Sequence, residues 1–238
     1  MSYRTLDPRL IIETAERLEG RVADRFPDSG LRKVAQELVS LARDLAKAAA
    51  ALEPPIWWLR GLVALIFIAG VMMFIFVGTI LPVDRISGNG DVVESVQGIE
   101  ASLNTILLAG FGFLALVRAE ARIKRMRVLK SLHGLRSVIH VIDMHQLTKD
   151  PGALSADFVP TDRSPVRMTN RADLARYLDY CSEMLSITGK LAALFSQSVN
   201  DEVVIEAVND VENLGSSLSR KIWQKIMMLD QGSGAKNG

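Results

Sequence analysis

The hydrophobic positions along the chain divide it into two kinds of helical segment. Residues 61–82, GLVALIFIAGVMMFIFVGTILP, form an apolar stretch without a charged side chain. About 20 such residues suffice for a helix to cross the hydrocarbon core of a bilayer. Trp57, Trp58 and Arg60 stand just before this stretch, where aromatic and basic side chains anchor a helix at the membrane interface. The stretch therefore predicts a transmembrane helix.

A second, weaker apolar stretch occupies residues 99–117. Its uncharged part, 101–117, is at the short end of the spanning range and contains Asn104. Taken alone, it is also compatible with a buried core helix, and a re-entrant or interfacial helix is a further alternative to the second span. The connecting residues 83–98 are short, polar and rich in glycine, which favours a hairpin of two spans with an external loop.

The other segments are amphipathic, because their apolar positions recur at helical spacing. Within the predicted N-terminal hairpin, residues 1–53, Asp7-Pro8 is a strong helix start and Pro27 ends that helix. Asp28 or Ser29 can cap a second helix, from about residue 31 to 52. Pro54 and Pro55 then separate this hairpin from the predicted membrane hairpin, residues 54–118.

Beyond the second span the helix is expected to continue as a basic juxtamembrane helix, residues 119–147, because no proline interrupts it. Residues 148–170 contain three prolines and predict a linker. A C-terminal helical hairpin, 171–230, and a flexible tail, 231–238, complete the chain. The predicted fold class is all-α, a two-span transmembrane helical hairpin with cytoplasmic helical hairpins or a bundle.

The two helices of the C-terminal hairpin each carry an apolar stripe with spacing near 3.5 residues, as in coiled coils and bundles. We expect the stripes to pack against each other within one chain, with contact to a second protomer as the alternative. The stripes are Leu174, Leu178, Cys181, Leu185, Thr188, Leu191 and Phe195 in the first helix, and Val204, Val208, Val211, Leu218 and Ile222 in the second.

The charge distribution predicts an orientation. Lysine and arginine number 28 and aspartate and glutamate 27. The chain therefore lacks the surplus of basic residues that would indicate a nucleic-acid partner. The loop 83–98 has one basic residue, Arg85, whereas six follow the second span: Arg118, Arg122, Lys124, Arg125, Arg127 and Lys130. The positive-inside rule then places both termini in the cytoplasm. These six residues either bind lipid headgroups or act only as a topology signal.

The expected localisation is therefore the plasma (inner) membrane, as a multi-pass protein whose lipid bilayer is its first partner. The N-terminus has no signal-peptide pattern, because charges interrupt its apolar residues. Cys181 is the single cysteine, so an intramolecular disulfide is excluded, and its place in an apolar stripe predicts a buried side chain. We find no catalytic or nucleotide-binding motif, and no cofactor is predicted.

One polar cluster stands out, because all three histidines, His133, His140 and His145, fall in a single segment with Asp143. Metal binding is the first interpretation, but His133 and His140 are two helical turns apart, roughly 10 Å, so another helix would have to supply ligands. A polar seam inside a bundle is the favoured interpretation. The third is a regulatory site in which histidine protonation or an anion bound by Arg136 and Lys149 changes the packing.

Three functions are compatible with these features. The first is a non-enzymatic, self-associating anchor or scaffold that presents a cytoplasmic helical module to a protein partner or a homo-oligomer. The second is a subunit of a small oligomeric ion channel, since two spans cannot enclose a pore alone. The third is a histidine-based metal- or anion-responsive regulator. The absence of charge inside either span argues against a secondary transporter.

Overall fold

The computed structural model describes residues 5–52, 54–80, 92–154, 158–164 and 168–234. Within the helices, it describes no side chain at 73, 74, 77–80, 92–99, 101, 102, 105 or 230–234. The described residues form six α-helices and one short 3-10 helix, so the fold class is all-α, as the sequence predicts.

The N-terminal helical hairpin consists of α1 (Pro8–Arg25) and α2 (Gly30–Ala50). The side chain of Asp7 accepts a hydrogen bond from the amide of Arg9, and Pro8 occupies the first turn, where its missing N–H costs nothing. Of the two caps considered for α2, Ser29 is the one used, since its hydroxyl accepts from the amide of Arg32 at 3.3 Å. Local sequence signals thus set the start of both helices.

Helix α3 (Trp57–Ile80) covers most of the first apolar stretch, and α4 (Val92–Leu147) begins earlier than expected. The predicted loop 83–98 is wrong over 92–98, which already belong to α4; its residues 83–91 lie outside the described part of the chain. Helix α4 then runs without interruption to Leu147, as the lack of proline predicts. It therefore contains both the second apolar stretch and the basic segment.

The C-terminal hairpin consists of α5 (Arg171–Ser198) and α6 (Glu202–Gly234). Helix α6 includes residues 231–234, which the sequence assigned to a flexible tail; residues 235–238 lie outside the described part. The predicted linker contains a 3-10 helix, Pro151–Leu154, whose Pro151 is buried. Burial of this proline ties the start of the linker to the bundle.

The chain divides into two compact units, Pro54–Lys124 and a discontinuous unit of Met1–Glu53 with Arg125–Gly238. In the discontinuous unit, called the helical module below, α1 and α2 pack on each other and on α5, and α5 makes its most extensive contact with α6. The end of α4 joins this core with buried residues at intervals of four and three, namely Val128, Leu132, Leu135, Ile139 and Ile142.

Both stripes of the C-terminal hairpin lie inside the helical module. Each of the twelve residues of the two stripes is buried, and Phe195, Leu178 and Leu191 are completely inaccessible. The intramolecular packing is therefore confirmed. It follows that these stripes are not available as the self-association surface considered in the sequence analysis.

The second unit contains α3 and the N-terminal part of α4. Their described side chains include many exposed large apolar groups, such as Leu65 and Phe67 in α3 and Leu108 and Phe111 in α4. Judged by its described residues, no helix has both the length and the apolar character that crossing a membrane requires.

The packing of the helical module yields a first prediction. Leu178 is fully buried on α5, so Leu178→Ala should cost about 2–5 kcal/mol of unfolding free energy through lost burial and the cavity left behind. For a unit of this size, that lowers the melting temperature by roughly 4–20 °C. Thermal unfolding of the detergent-purified chain, followed by circular dichroism, measures the change.

The matched control is Leu147→Ala at the end of α4, where the side chain is 61% exposed. Its effect should stay within about 0.5 kcal/mol. Equal losses for the two variants would contradict the assignment of Leu178 to the core.

Candidate functional site

The apolar helices α3 and α4 meet as an antiparallel pair. The rings of Phe67 and Phe113 have centroids 6.3 Å apart, and further along, Glu120 meets the start of α3. One carboxylate oxygen of Glu120 accepts from the amide of Ile56 at 3.3 Å, and the other accepts from Nε of Arg60 at 3.3 Å. We call Ile56, Arg60, Glu120 and Lys124 the hairpin base.

The hairpin base provides a hydrogen-bond acceptor and a negative charge at the start of α3. Helix α3 begins after Ile56, whose apolar side chain cannot accept a hydrogen bond from the amides of the first turn. Glu120 brings a negative charge to this positive end of the helix dipole, and Nζ of Lys124 lies 3.3 Å from the same carboxylate. Burial by itself would raise the pKa of Glu120, but the hydrogen bonds from Ile56, Lys124 and Arg60 outweigh it and lower the pKa.

The six basic residues after the second apolar stretch have different surroundings. Lys124 pairs with Glu120, and Arg125 pairs with Asp201 through Nη2 at 2.6 Å and Nε at 2.8 Å. The other four side chains are exposed, namely Arg118, Arg122, Arg127 and Lys130. The structure thus separates two cations that hold the fold together from four that face outward.

Asp201 has two tasks at the start of α6. Its carboxylate caps the helix by accepting from the amides of Val203 and Val204, and it also receives Arg125 of α4. Desolvation opposes ionisation here, but Arg125 and the backbone amides more than compensate and lower the pKa of Asp201. The cap of α6 is therefore also a contact between α4 and α6.

The predicted interface anchors are at the surface. Trp57 and Trp58 are 74% and 66% exposed at the start of α3, and the side chain of Arg60 is 58% exposed while it contacts Glu120. Large indole rings are seldom left this accessible in a folded protein. Together with the hairpin base, they form an aromatic and charged collar at the end of the apolar helix pair.

The histidine segment does not form one cluster. His133 and His140 are exposed on α4, as is Arg136, whose Nη2 lies 3.7 Å from Oδ2 of Asp210. Asp143 is half-buried and accepts from Nε2 of Gln146 at 2.6 Å. In the described part of the chain, no group of three or more His, Cys, Asp or Glu side chains could hold a metal ion.

His145 instead lies against the first residue of α2. A methyl group on Gly30 would come within 2.5 Å of Cε1 of His145, so glycine at this position permits the close approach. Desolvation and the nearby charge of Lys149 lower the pKa of His145. The positive end of the α2 dipole acts in the same direction, because it also disfavours a protonated imidazole.

One half-buried polar group with several hydrogen bonds was not identified from the sequence. Lys225 reaches from α6 to the end of α4, where its Nζ donates to the carbonyl oxygen of Gln146 at 3.0 Å and to Oε1 of Gln146 at 2.6 Å. It also lies 3.4 Å from the carbonyl oxygen of Lys149. Burial lowers the pKa of Lys225, whereas the nearby carboxylates of Asp150 and Asp143 act to raise it.

This lysine bonds carbonyl groups at and just after the end of α4, where the carbonyl oxygen of Gln146 also accepts from the amide of Lys149 at 3.1 Å. Around it, Lys149 sits over the ring of Tyr177 at 5.1 Å, and burial raises the pKa of Tyr177. Burial also raises the pKa of Cys181 to about 12, which leaves the only thiol protonated and unreactive. Arg136 pairs with α6, whereas Lys149 stacks on α5, so the two proposed anion contacts have separate partners.

Two open grooves lie on the helical module. One, of about 650 Å³, lies between the start of α1 and α5 and is lined by Leu6, Leu10 and Ile187 among others. The other, of about 350 Å³, lies between α5 and α6, where Gly189 and Gly215 leave space beside the exposed Trp223. Neither groove is lined by a histidine.

Known proteins add no assignment. No protein-family model matches this chain, and no curated protein or solved structure matches it significantly. Functional argument therefore depends on the residues themselves.

The capping role of Glu120 can be tested by measuring amide hydrogen exchange. Glu120→Ala should speed amide hydrogen exchange at Ile56 and in the first turn of α3 by about fivefold, equivalent to the loss of a helix cap worth about 1 kcal/mol. Glu120→Gln should be intermediate, because it keeps an acceptor but loses the charge. Exchange read by mass spectrometry at peptide resolution measures both.

The control for this measurement is Glu206→Ala, which removes an exposed carboxylate from α6. Exchange at the start of α3 should be unchanged in that variant. An unchanged exchange rate in Glu120→Ala would contradict the capping role.

The position of His145 predicts a pH dependence of stability. Because its pKa is lowered in the folded state, the unfolded chain binds more protons below roughly pH 6.5, the ordinary histidine value. Stability should therefore decrease as the pH falls below that value, until the folded-state pKa is reached. Melting temperatures between pH 7.5 and pH 5 measure the slope, and His145→Gln should make it shallower.

The control is His133→Gln, whose imidazole is exposed on the same helix. It should retain the wild-type pH slope. A wild-type slope in His145→Gln would show that another group causes the acid sensitivity.

Proposed function

We propose that the protein is a non-enzymatic membrane anchor, in which the α3–α4 hairpin resides in the bilayer and holds the helical module at the cytoplasmic face. The observation that carries this proposal is the exposed apolar surface of α3 and α4. It includes Leu65, Phe67, Ile68, Met72, Ile75 and Phe76 of α3, and Leu103, Ile106, Leu107, Leu108, Phe111 and Val117 of α4, each more than half exposed.

Such a surface is unfavourable in water. Monomeric proteins rarely expose contiguous apolar patches larger than a few hundred Å². A helix that is apolar on all sides is typical of a membrane span or of the core of a large protein. The pairing of Phe67 with Phe113 brings two such helices together yet leaves most of their large side chains uncovered. A bilayer would cover them without a further protein layer.

The polar groups at the hairpin base suit a membrane interface. Trp57 and Trp58 are exposed beside Arg60, where indole and guanidinium groups favour headgroups. On α4, apolar side chains extend to Val117, and Arg118 follows immediately. The change from apolar to cationic positions takes one residue, which fits a sharp boundary between hydrocarbon and water. Arg118 and its basic neighbours favour a cytoplasmic base.

The helical module is the part available to other molecules. Its two predicted interaction stripes are internal, so self-association would need a different surface and stays a prediction. Its polar contacts satisfy helix ends, as Lys225 does for α4 and Asp201 for α6. These features favour a binding or spacing role over catalysis.

Fractionation tests membrane residence. After cell lysis, the chain should remain in the membrane pellet through alkaline carbonate washing and leave it only with detergent. Peripheral proteins held by charge leave the pellet in carbonate. Release into the aqueous fraction would overturn the proposal.

Orientation can be tested with single cysteines in the native background, because Cys181 is buried and its thiol pKa is about 12. Ser87→Cys lies in the predicted external loop, and Ser137→Cys is an exposed position on α4. A membrane-impermeant maleimide should label Ser87→Cys in intact spheroplasts. It should label Ser137→Cys only in inverted vesicles.

The unsubstituted chain is the control and should remain unlabelled in both preparations. Labelling of the two variants from the same side would contradict a two-span hairpin. Labelling of Ser137→Cys from outside alone would reverse the proposed orientation.

A further inference from the structure

We propose that Arg118 and Arg122 form a binding site for the phosphate of anionic phospholipids. This inference rests on the proposed membrane residence and names a lipid partner for α4 beside the hairpin base. The six basic residues that follow the second apolar stretch differ in their contacts. Lys124 and Arg125 are held by Glu120 and Asp201, whereas Arg118 and Arg122 have exposed side chains. Among the described residues, neither belongs to an ion pair.

The position of the two arginines around α4 is decisive. At 100° per residue, Phe111, Arg118 and Arg122 lie within roughly 40° of one another on the helix surface. The face that meets α3 carries Phe113 and Glu120 and lies roughly 140–180° away. The pair therefore faces away from α3, toward the medium that surrounds the hairpin.

Along this face of α4, exposed apolar side chains precede the two arginines. Phe111 is 68% exposed, and Leu114, about one turn before Arg118, is 48% exposed. A phospholipid has this same order of chemistry, with hydrocarbon chains followed by a phosphate. Its chains could contact Phe111 and Leu114 while its phosphate meets the two guanidinium groups.

The guanidinium pair is suited to phosphate. Arg118 and Arg122 are four residues apart, so their α-carbons are separated by roughly 6 Å along the helix axis, and both side chains can reach one headgroup. Each guanidinium offers a planar fork of N–H donors that can bond two phosphate oxygens. A neutral headgroup of the zwitterionic kind would bring its own cation and lose part of this attraction.

Arg127 and Lys130 provide an internal comparison. They are also exposed cations on α4, but they follow the apolar stretch by at least ten residues, or roughly 15 Å of helix. The exposed apolar side chain beside them is Met126, so the acyl chains of a lipid bound there would meet a flexible thioether instead of Phe111 and Leu114. Arg118 and Arg122 are therefore expected to bind phospholipid, whereas Arg127 and Lys130, a pair of equal charge on the same helix, are not.

Native mass spectrometry of the detergent-purified full chain tests the proposal. The probe is an equimolar mixture of phosphatidylglycerol and phosphatidylcholine with identical acyl chains, and the readout is the ratio of the two single-lipid adducts. The wild-type chain should prefer phosphatidylglycerol. R118Q/R122Q should lower the ratio by about fivefold for each arginine, the effect expected for one basic side chain near an anionic headgroup.

R127Q/K130Q is the matched control, because it removes the same formal charge from exposed positions of the same helix. It should change the ratio by less than about twofold. R118K/R122K should retain part of the preference, since it keeps the charge but not the fork. Circular dichroism melting curves of all variants should coincide, as the altered side chains are exposed.

Three outcomes would overturn the inference. They are an unchanged ratio in R118Q/R122Q, an equal loss in R127Q/K130Q, and full displacement of phosphatidylglycerol by millimolar inorganic phosphate. The last would indicate a site for free anions, without a contribution from acyl chains. Carbonate extraction keeps the two proposals apart: a chain that resists extraction but shows no lipid preference retains its anchor function and loses only this site.

Discussion

Helix α4 imposes the constraint on which both units depend. It is one uninterrupted helix from Val92 to Leu147, and residues on either side of Lys124 belong to different compact units. Its side chains change character accordingly. Up to Val117 most of the described large apolar groups are exposed, whereas from Val128 onward buried apolar groups follow one stripe. Residues 118–127, between these regions, contain no proline or glycine.

Polar contacts at helix ends are the second shared feature. Glu120 supplies negative charge to the start of α3, and Asp201 caps α6 while it holds Arg125. Lys225 supplies positive charge to the end of α4. Each contact matches the sign of the helix dipole and satisfies backbone groups that the helix leaves free. The charged residues of α4 and α6 thus organise the backbone, and only the remaining ones are available for binding.

A feature could be predicted from the sequence when the residues that cause it lie close together along the chain. Asp7, Ser29 and Asp201 act on amides two or three residues away, so their caps were readable from the sequence. The burial of Leu178 or Ile222 follows from helical periodicity. The histidine segment shows the limit: His133, His140 and His145 are close in sequence, but His145 lies against Gly30 of α2, and their neighbour Arg136 pairs with Asp210 of α6. The polar seam predicted there is reduced to separate contacts.

The sequence by itself determined the helical class, most of the helix boundaries, the two apolar stretches and the buried stripes of α5 and α6, because each depends on local propensity or on a short repeat. Only the tertiary structure decided that Lys124 and Arg125 form ion pairs while the side chains of Arg118 and Arg122 are exposed. It also decided that the half-buried Lys225 of α6, rather than a histidine, bonds the end of α4. Those outcomes depend on which side chains from distant parts of the chain meet each helix, and no local pattern records that choice.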